Sequence, residues 1–260
     1  MKTIKIFKIT LFCLPFLLII NCGRHAPVTD EPVLLDDTIV VADTGFTGIR
    51  RYTQPNTEHV VKEVTFKNGV RHGLAKFFYE GGKVRQTFWY ENDLREDSAK
   101  WYYLEGPVFR STPFKRDTIH GTQIQYFKNG RVRAKIGFEK GLRTFFFEEY
   151  ARDGKLVKNY PDIIVKTKDN YNSNGTYNIS VELSDASKNV RFVRGDFSKG
   201  VYDTAAVAPI KTVNGIGSLT LKKSSSPTKP YVEVLAEILT GHGNRYLSVK
   251  RIDLPYNDLK

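Results

Sequence analysis

"FKNGVRHG" (residues 66–73) and "FKRDTIHG" (residues 114–121) are two spellings of one octamer, 48 residues apart. Around them the spacing halves. Phe66, Tyr90, Phe114 and Phe138 form an aromatic column with a period of 24 residues, and Phe78, Tyr102, Tyr126 and Tyr150 form a second. Val84, Val108, Val132 and Leu156 make an apolar column, and Gly82, Gly106, Gly130 and Gly154 a glycine column. Four columns that keep register through four copies without an insertion mark a tandem repeat. The two octamers are the same part of copies one and three.

Each unit reads as two short strands. "VRAKIGF" (132–138) sets Val132, Ala134, Ile136 and Phe138 against Arg133 and Lys135, the two-residue alternation of a half-buried strand. Asn68-Gly69, Gly81-Gly82, Asn129-Gly130 and Asp153-Gly154 punctuate the strands. Such pairs tolerate positive φ and are expected to make tight hairpin turns. On this reading glycine recurs because the backbone turns there, not because a phosphate sits there. The array extends upstream through "FTGIRRY" (46–52) and "HVVKEVTF" (59–66), where the register slips by about one residue, as terminal repeats often do.

Tandem units of this length, each with an aromatic, an N-G or D-G turn and an H-G pair, resemble MORN repeats, in particular the variant found in bacterial proteins that include antitoxin-like ones. The resemblance spans roughly residues 46–160 and implies an elongated single sheet of stacked β-hairpins. Copies two and four depart from it at Asp97 and Phe145, where copies one and three have Gly73 and Gly121.

Past "NYPD" the period stops. "TYNISVELS" (176–184), "NVRFVRG", "GSLTLKK", "YVEVLAEIL" and "RYLSVKRIDL" follow as short strands between turn-rich stretches. About 100 residues of this kind predict an antiparallel β-sandwich. It resembles the immunoglobulin-like modules of exported bacterial proteins, without their Cys–Trp–Cys hallmark. The fold class expected for the whole chain is all-β: hairpin repeats over 45–160, then a sandwich over 161–260.

The opening residues read differently. Lys2, Lys5 and Lys8 precede the apolar run "LFCLPFLLII", a charged region followed by a hydrophobic one too short for a comfortable membrane span. The run ends in "LIINCG". It resembles a bacterial lipoprotein signal, which implies removal of residues 1–21 and lipid on Cys22. Gly23 after that cysteine implies delivery to the outer membrane of a Gram-negative cell. Cys13 would be discarded with the signal, leaving one cysteine and no internal disulfide. Residues 22–44 then read as an acidic tether, with a net charge of −4 over 23–44, against +9 over 45–160 and +4 over 161–260.

Chemistry is sparse. His72 and His120 hold equivalent repeat positions whose counterparts are Glu96 and Thr144, so they read as turn-flanking polar residues rather than metal ligands. Glu148 and Glu149 are adjacent on a strand and point to opposite faces, so they cannot readily share a proton. No nucleophile, base and orienting group suggest themselves as a set. The expectation is a non-enzymatic protein with no cofactor, no metal and no nucleic-acid partner.

What remains is a basic-aromatic face: Arg71, Arg95 and Arg143 in one column, Lys83, Arg131 and Lys155 in another, with Trp89 and Trp101 between. The leading functional reading is a membrane-anchored scaffold that binds an envelope protein through its repeats. An open last hairpin would invite an added partner strand. The second reading is a module that uses the basic-aromatic face to bind a glycan or a membrane surface.

Overall fold

The computed structural model describes residues 45–260. The expected signal, Cys22 and the acidic tether lie outside them. Of the described residues, 60% lie in strands and 2% in helix, so the chain is all-β with antiparallel sheets and no closed barrel.

The repeat region runs β1 Gly48–Thr53, β2 Val60–Lys67, β3 Val70–Phe78, β4 Val84–Glu91, β5 Leu94–Tyr102, β6 Val108–Lys115, the two-residue β7 Thr118–Ile119, β8 Gly121–Tyr126, β9 Val132–Glu139 and β10 Leu142–Glu149. After it come β11 Ile163–Asn170, the single-turn α1 Tyr171–Asn174, β12 Thr176–Leu183, β13 Val190–Gly195, β14 Val201–Tyr202, β15 Ala208–Pro209, β16 Lys211–Val213, β17 Ile216–Lys222, β18 Tyr231–Leu239 and β19 Arg245–Asp253. Strands β1 to β10 lie side by side in chain order, with β7 paired only to β6. The expected open last hairpin is corrected here, because β14 from the C-terminal region adds to β10 as the eleventh strand.

Two kinds of turn build the array. At one end of the sheet Asn68-Gly69, Asn92-Asp93, Arg116-Asp117 and Lys140-Gly141 each put two successive residues at positive φ. This is the geometry of a two-residue hairpin turn whose twist matches the flanking strands. At the other end the chain takes three-residue loops. Tyr79 N donates to Lys83 O, and Gly82 N donates back to Tyr79 O with Gly82 at φ +77°. Gly106, Gly130 and Gly154 repeat this arrangement. Of the four pairs expected as tight turns, therefore, only Asn68-Gly69 is one. The other three close longer loops in which the last residue alone must be left-handed.

The H-G pair has a separate origin. The β2–β3 register shifts between Val64 and Phe66, opposite Gly73 at φ +104°. Gly121 is at φ +109° in the same position, and Asp97 keeps the bulge at φ +57° because a short acid tolerates left-handed backbone.

The repeat sheet makes its core from one face of a single layer. Val64, Phe66, Ala75 and Tyr90 form one buried cluster, and Ala99, Trp101 and Phe114 the next. Ala75 and Ala99 are small because bulky aromatics from neighbouring strands lie over them. Arg50 sits over Phe46 at 4.6 Å and Arg110 over Trp101 at 4.2 Å, so arginine planes help to cover the aromatics.

In the C-terminal region, β11-β12-β17-β16 form one four-stranded sheet and β15-β13-β18-β19 another. Ile179, Val181 and Leu221 of the first share a cluster with Phe192, Val234 and Ala236 of the second. The opposite face of the second sheet contributes Val193, Leu235 and Leu247 to a further cluster with Tyr202, against which Phe145 of the repeats packs. This explains why Val234–Ile238 of β18 is buried without alternation. The strand has apolar neighbours on both faces.

Candidate functional site

The arginine column is built into the repeat. Arg71 donates from its main-chain N and from Nε to Asp93 Oδ1, at 2.8 and 3.0 Å, and from Nη2 to Asp93 O at 3.0 Å. Its guanidinium lies 4.5 Å from the Tyr90 ring centroid. Arg95 does the same with Asp117, at 2.9, 2.7 and 3.4 Å, over Phe114 at 4.5 Å. Arg143 holds the equivalent place but donates Nη1 to Arg245 O at 2.9 Å. Burial lowers its pKa to about 10, against the pull of Glu237, so it stays charged at neutral pH.

The second column lies at the far end of the strands. Lys83, Arg131 and Lys155 are exposed beside the three-residue loops. Arg131 donates to Arg152 O at 3.3 Å, and Lys155 pairs with Asp153 at 3.2 Å. From Arg71 to the end of β3 is roughly 25 Å of strand, so the two columns are not one patch. The tryptophans separate as well. Trp101 is buried opposite Gln86, whereas Trp89, three residues beyond Gln86, is exposed on the other face. The eight residues expected as one face thus occupy two ends and two faces of the sheet.

Glu96 and His120 serve the neighbouring turns, whereas His72 Nδ1 is buried without a hydrogen-bond partner. Glu96 Oε1 accepts from Arg116 N at 3.1 Å, and His120 Nδ1 accepts from Lys140 N at 3.4 Å. Among the described residues no three His, Cys, Asp or Glu side chains gather in a way that could hold a metal ion.

The face opposite the aromatic core presents a different surface. Ile49 pairs with Thr65, Thr65 Oγ1 donates to Leu74 O, and Leu74 pairs with Trp89. This row crosses β1 to β4 and exposes Ile49 at 58%, Leu74 at 38% and Trp89 at 42%. The adjoining row runs Arg51, Glu63, Lys76, Thr87, Lys100 and Ser111, each opposite the next. Trp89 was singled out from the sequence, but Leu74 and Ile49 were not. A usable signal was present: Leu74 stands at a repeat position filled by Ser98, Thr122 and Phe146 in other copies, and Trp89 at one filled by Thr65, Pro113 and Gly137. Most copies carry no large apolar group there.

The last repeats and the C-terminal sheets are joined by buried polar groups. Glu149, 2% exposed, accepts at Oε1 from Thr240 Oγ1 at 2.8 Å and from Asn244 Nδ2 at 2.9 Å. Gln125 Nε2 donates to Asn244 Oδ1 at 2.9 Å, and Arg133 Nη2 donates to Gln125 Oε1 at 2.7 Å. Tyr160 stacks on Tyr246 with ring centroids 4.1 Å apart, and burial beside Glu149 raises its hydroxyl well above the usual range. Each member of this chain has a partner, and the seam is satisfied except at Arg133 Nε, which is buried without one. A shallow cavity of about 270 Å³ lies elsewhere, lined by Arg194, Lys229, Tyr231 and Glu233. Lys229 is held there by Asp196 at 2.7 Å, and Arg251 covers Tyr231 at 3.8 Å.

No family model, curated protein or solved structure matches this chain.

Proposed function

We propose that this protein is a non-catalytic interaction scaffold of the bacterial cell envelope. Residues 1–21 act as a lipoprotein signal, and lipid on Cys22 anchors the chain to the outer membrane. The acidic tether gives it reach, and MORN-like hairpin repeats followed by an immunoglobulin-like sandwich present the binding surface. The observation that carries the reading is the row Ile49–Thr65–Leu74–Trp89, three large apolar side chains exposed on one sheet face. A large exposed aromatic in such a patch, here Trp89 at its β4 end, is a common energetic anchor for a protein partner. The buried seam supports a scaffolding role, since it ties the repeats to the C-terminal sheets.

The columns Arg71, Arg95 and Lys83, Arg131, Lys155 lend less to the glycan or membrane-surface reading, because the first is bound to aspartates within the sheet and the second lies at its far end.

The test is crosslinking in cells followed by recovery of the tagged full chain, comparing the native protein with Trp89→Ala and Leu74→Ser. Loss of one specific envelope protein from both variants is the expected result. The same partner recovered at equal yield from all three would remove the row from the docking surface. The Cys22→Ser chain should leave the membrane fraction, and if it stays the anchor is not at that residue.

A further inference from the structure

The repeat pairs an arginine with an aspartate 22 residues later, and the two occur together. Arg71 has Asp93 and Arg95 has Asp117, while the turns that carry Gly69 and Gly141 instead face Phe46 and Ile119. Arg143 is the third arginine of this column, but the array ends before a further turn can follow. Its Nε and Nη2 are buried and have no hydrogen-bond partner. These are the same two atoms that reach the carboxylate oxygen and the main-chain oxygen of the aspartate in the earlier copies. Each such buried donor is costly to leave unmet.

What occupies the next strand position beside Arg143 is β14, and it does so sparingly, while Val157 N donates to Glu149 O at the far end of β10. Only Arg143↔Tyr202 and Thr144↔Val201 pair. Exposed residues precede it, with Gly200 at φ +71°, and half-buried Asp203 follows it before the chain is exposed again at Thr204. Its side-chain hold is Tyr202, which packs with Val193, Phe197, Leu235 and Leu247 and donates to Glu237 Oε1 at 2.6 Å. Arg191 and Arg245 also converge on Glu237, so three arginines here face one acid. The place is short of negative charge.

We propose that Arg143 and the outer edge of β10 form a docking socket for an acidic β-hairpin of a partner protein, with β14 the strap that fills this edge until the hairpin displaces it. The incoming strand extends the ladder along β10. The second residue of its two-residue turn is an aspartate whose carboxylate takes Nε of Arg143 and whose main-chain oxygen takes Nη2, as Asp93 and Asp117 do within the repeats. This is a second contact surface, separate from the exposed row on β1 to β4.

The chain's own hairpin is a suitable probe. A labelled peptide of residues 84–102, which presents Asp93 in its turn, is titrated against the full chain carrying Cys13→Ser and Cys22→Ser. Saturable binding is expected, weakened about tenfold or more by Asp93→Ala in the peptide or Arg143→Ala in the protein. A second protein carries Thr144→Cys and Val201→Cys, which are directly opposed and can lock the strap. It should bind the peptide when reduced and fail to bind when oxidised. No saturable binding, equal binding by the Asp93→Ala peptide, or equal binding by the oxidised lock each overturns the proposal. The lock keeps Arg143 intact, so the answer does not depend on how well Arg143→Ala folds.

Discussion

Arg95 reaches Asp117 at 2.7 Å across the seam between one repeat and the next, and Arg71 reaches Asp93 at 3.0 Å in the same way one repeat earlier. The charged groups are partly exposed, so the ion pair by itself contributes little. Its value lies in geometry. The aspartate also accepts from the arginine main-chain N, which fixes the turn against the preceding strand.

That geometry sets a pH dependence. Burial pushes Asp117 up, but hydrogen bonds from the Arg95 side chain and backbone outweigh it and hold the carboxyl below its ordinary 3.8. A carboxyl depressed in the folded state stabilises it above that value and loses the contribution as pH falls through the folded pKa. Asp117→Asn keeps the left-handed turn and should cost about 1 kcal/mol at neutral pH, with the deficit shrinking in acid below 3.8. Urea unfolding at neutral and strongly acid pH measures it. A deficit of the same size at both would show that the charge plays no part.

Asn244→Ala should be more damaging. It leaves Glu149 Oε1 with one partner fewer and Gln125 Nε2 without its acceptor, in buried surroundings. The expected loss is about 2 to 3 kcal/mol. Because the seam couples the repeats to the C-terminal sheets, urea unfolding should also split into two transitions or show a reduced slope. A single transition of unchanged midpoint would mean that the network contributes nothing to the coupling.

Arg116 offers a gain. It sits at φ +48° as the first residue of a two-residue turn, where a β-carbon is crowded. Arg116→Gly removes the crowding and keeps the main-chain bond to Glu96. The crowding relieved and the added freedom of the unfolded chain oppose each other, and the net gain should be about 0.5 kcal/mol. Thermal unfolding at matched concentration reads it, and a lower midpoint would mean that the arginine side chain contributes more than its backbone strain costs.

Much of the fold was legible in the chain. The 24-residue columns fall in β2 to β6, β8 and β9, and Asn68-Gly69 was read correctly as a tight turn because its chemistry is local. Arg116-Asp117 escaped notice because arginine does not announce positive φ. The basic column was visible too, but its partners were not. Asp93 and Asp117 lie in the neighbouring repeat, and periodicity marks which positions recur without saying which side chains meet.

The sequence by itself determined the 24-residue period, the alternating strands and the places where glycine lets the chain turn, though not the kind of turn, because alternation and left-handed backbone are properties of a few successive residues. Only the tertiary structure decided where the array stops. It set β14 against β10, buried both faces of β18 and brought Gln125 to Asn244 across 119 residues. It also left two donors of Arg143 without the acceptor that every earlier arginine in its column has. Contacts so distant in the chain follow from which surfaces are left uncovered once the local elements have formed, and no local pattern encodes that.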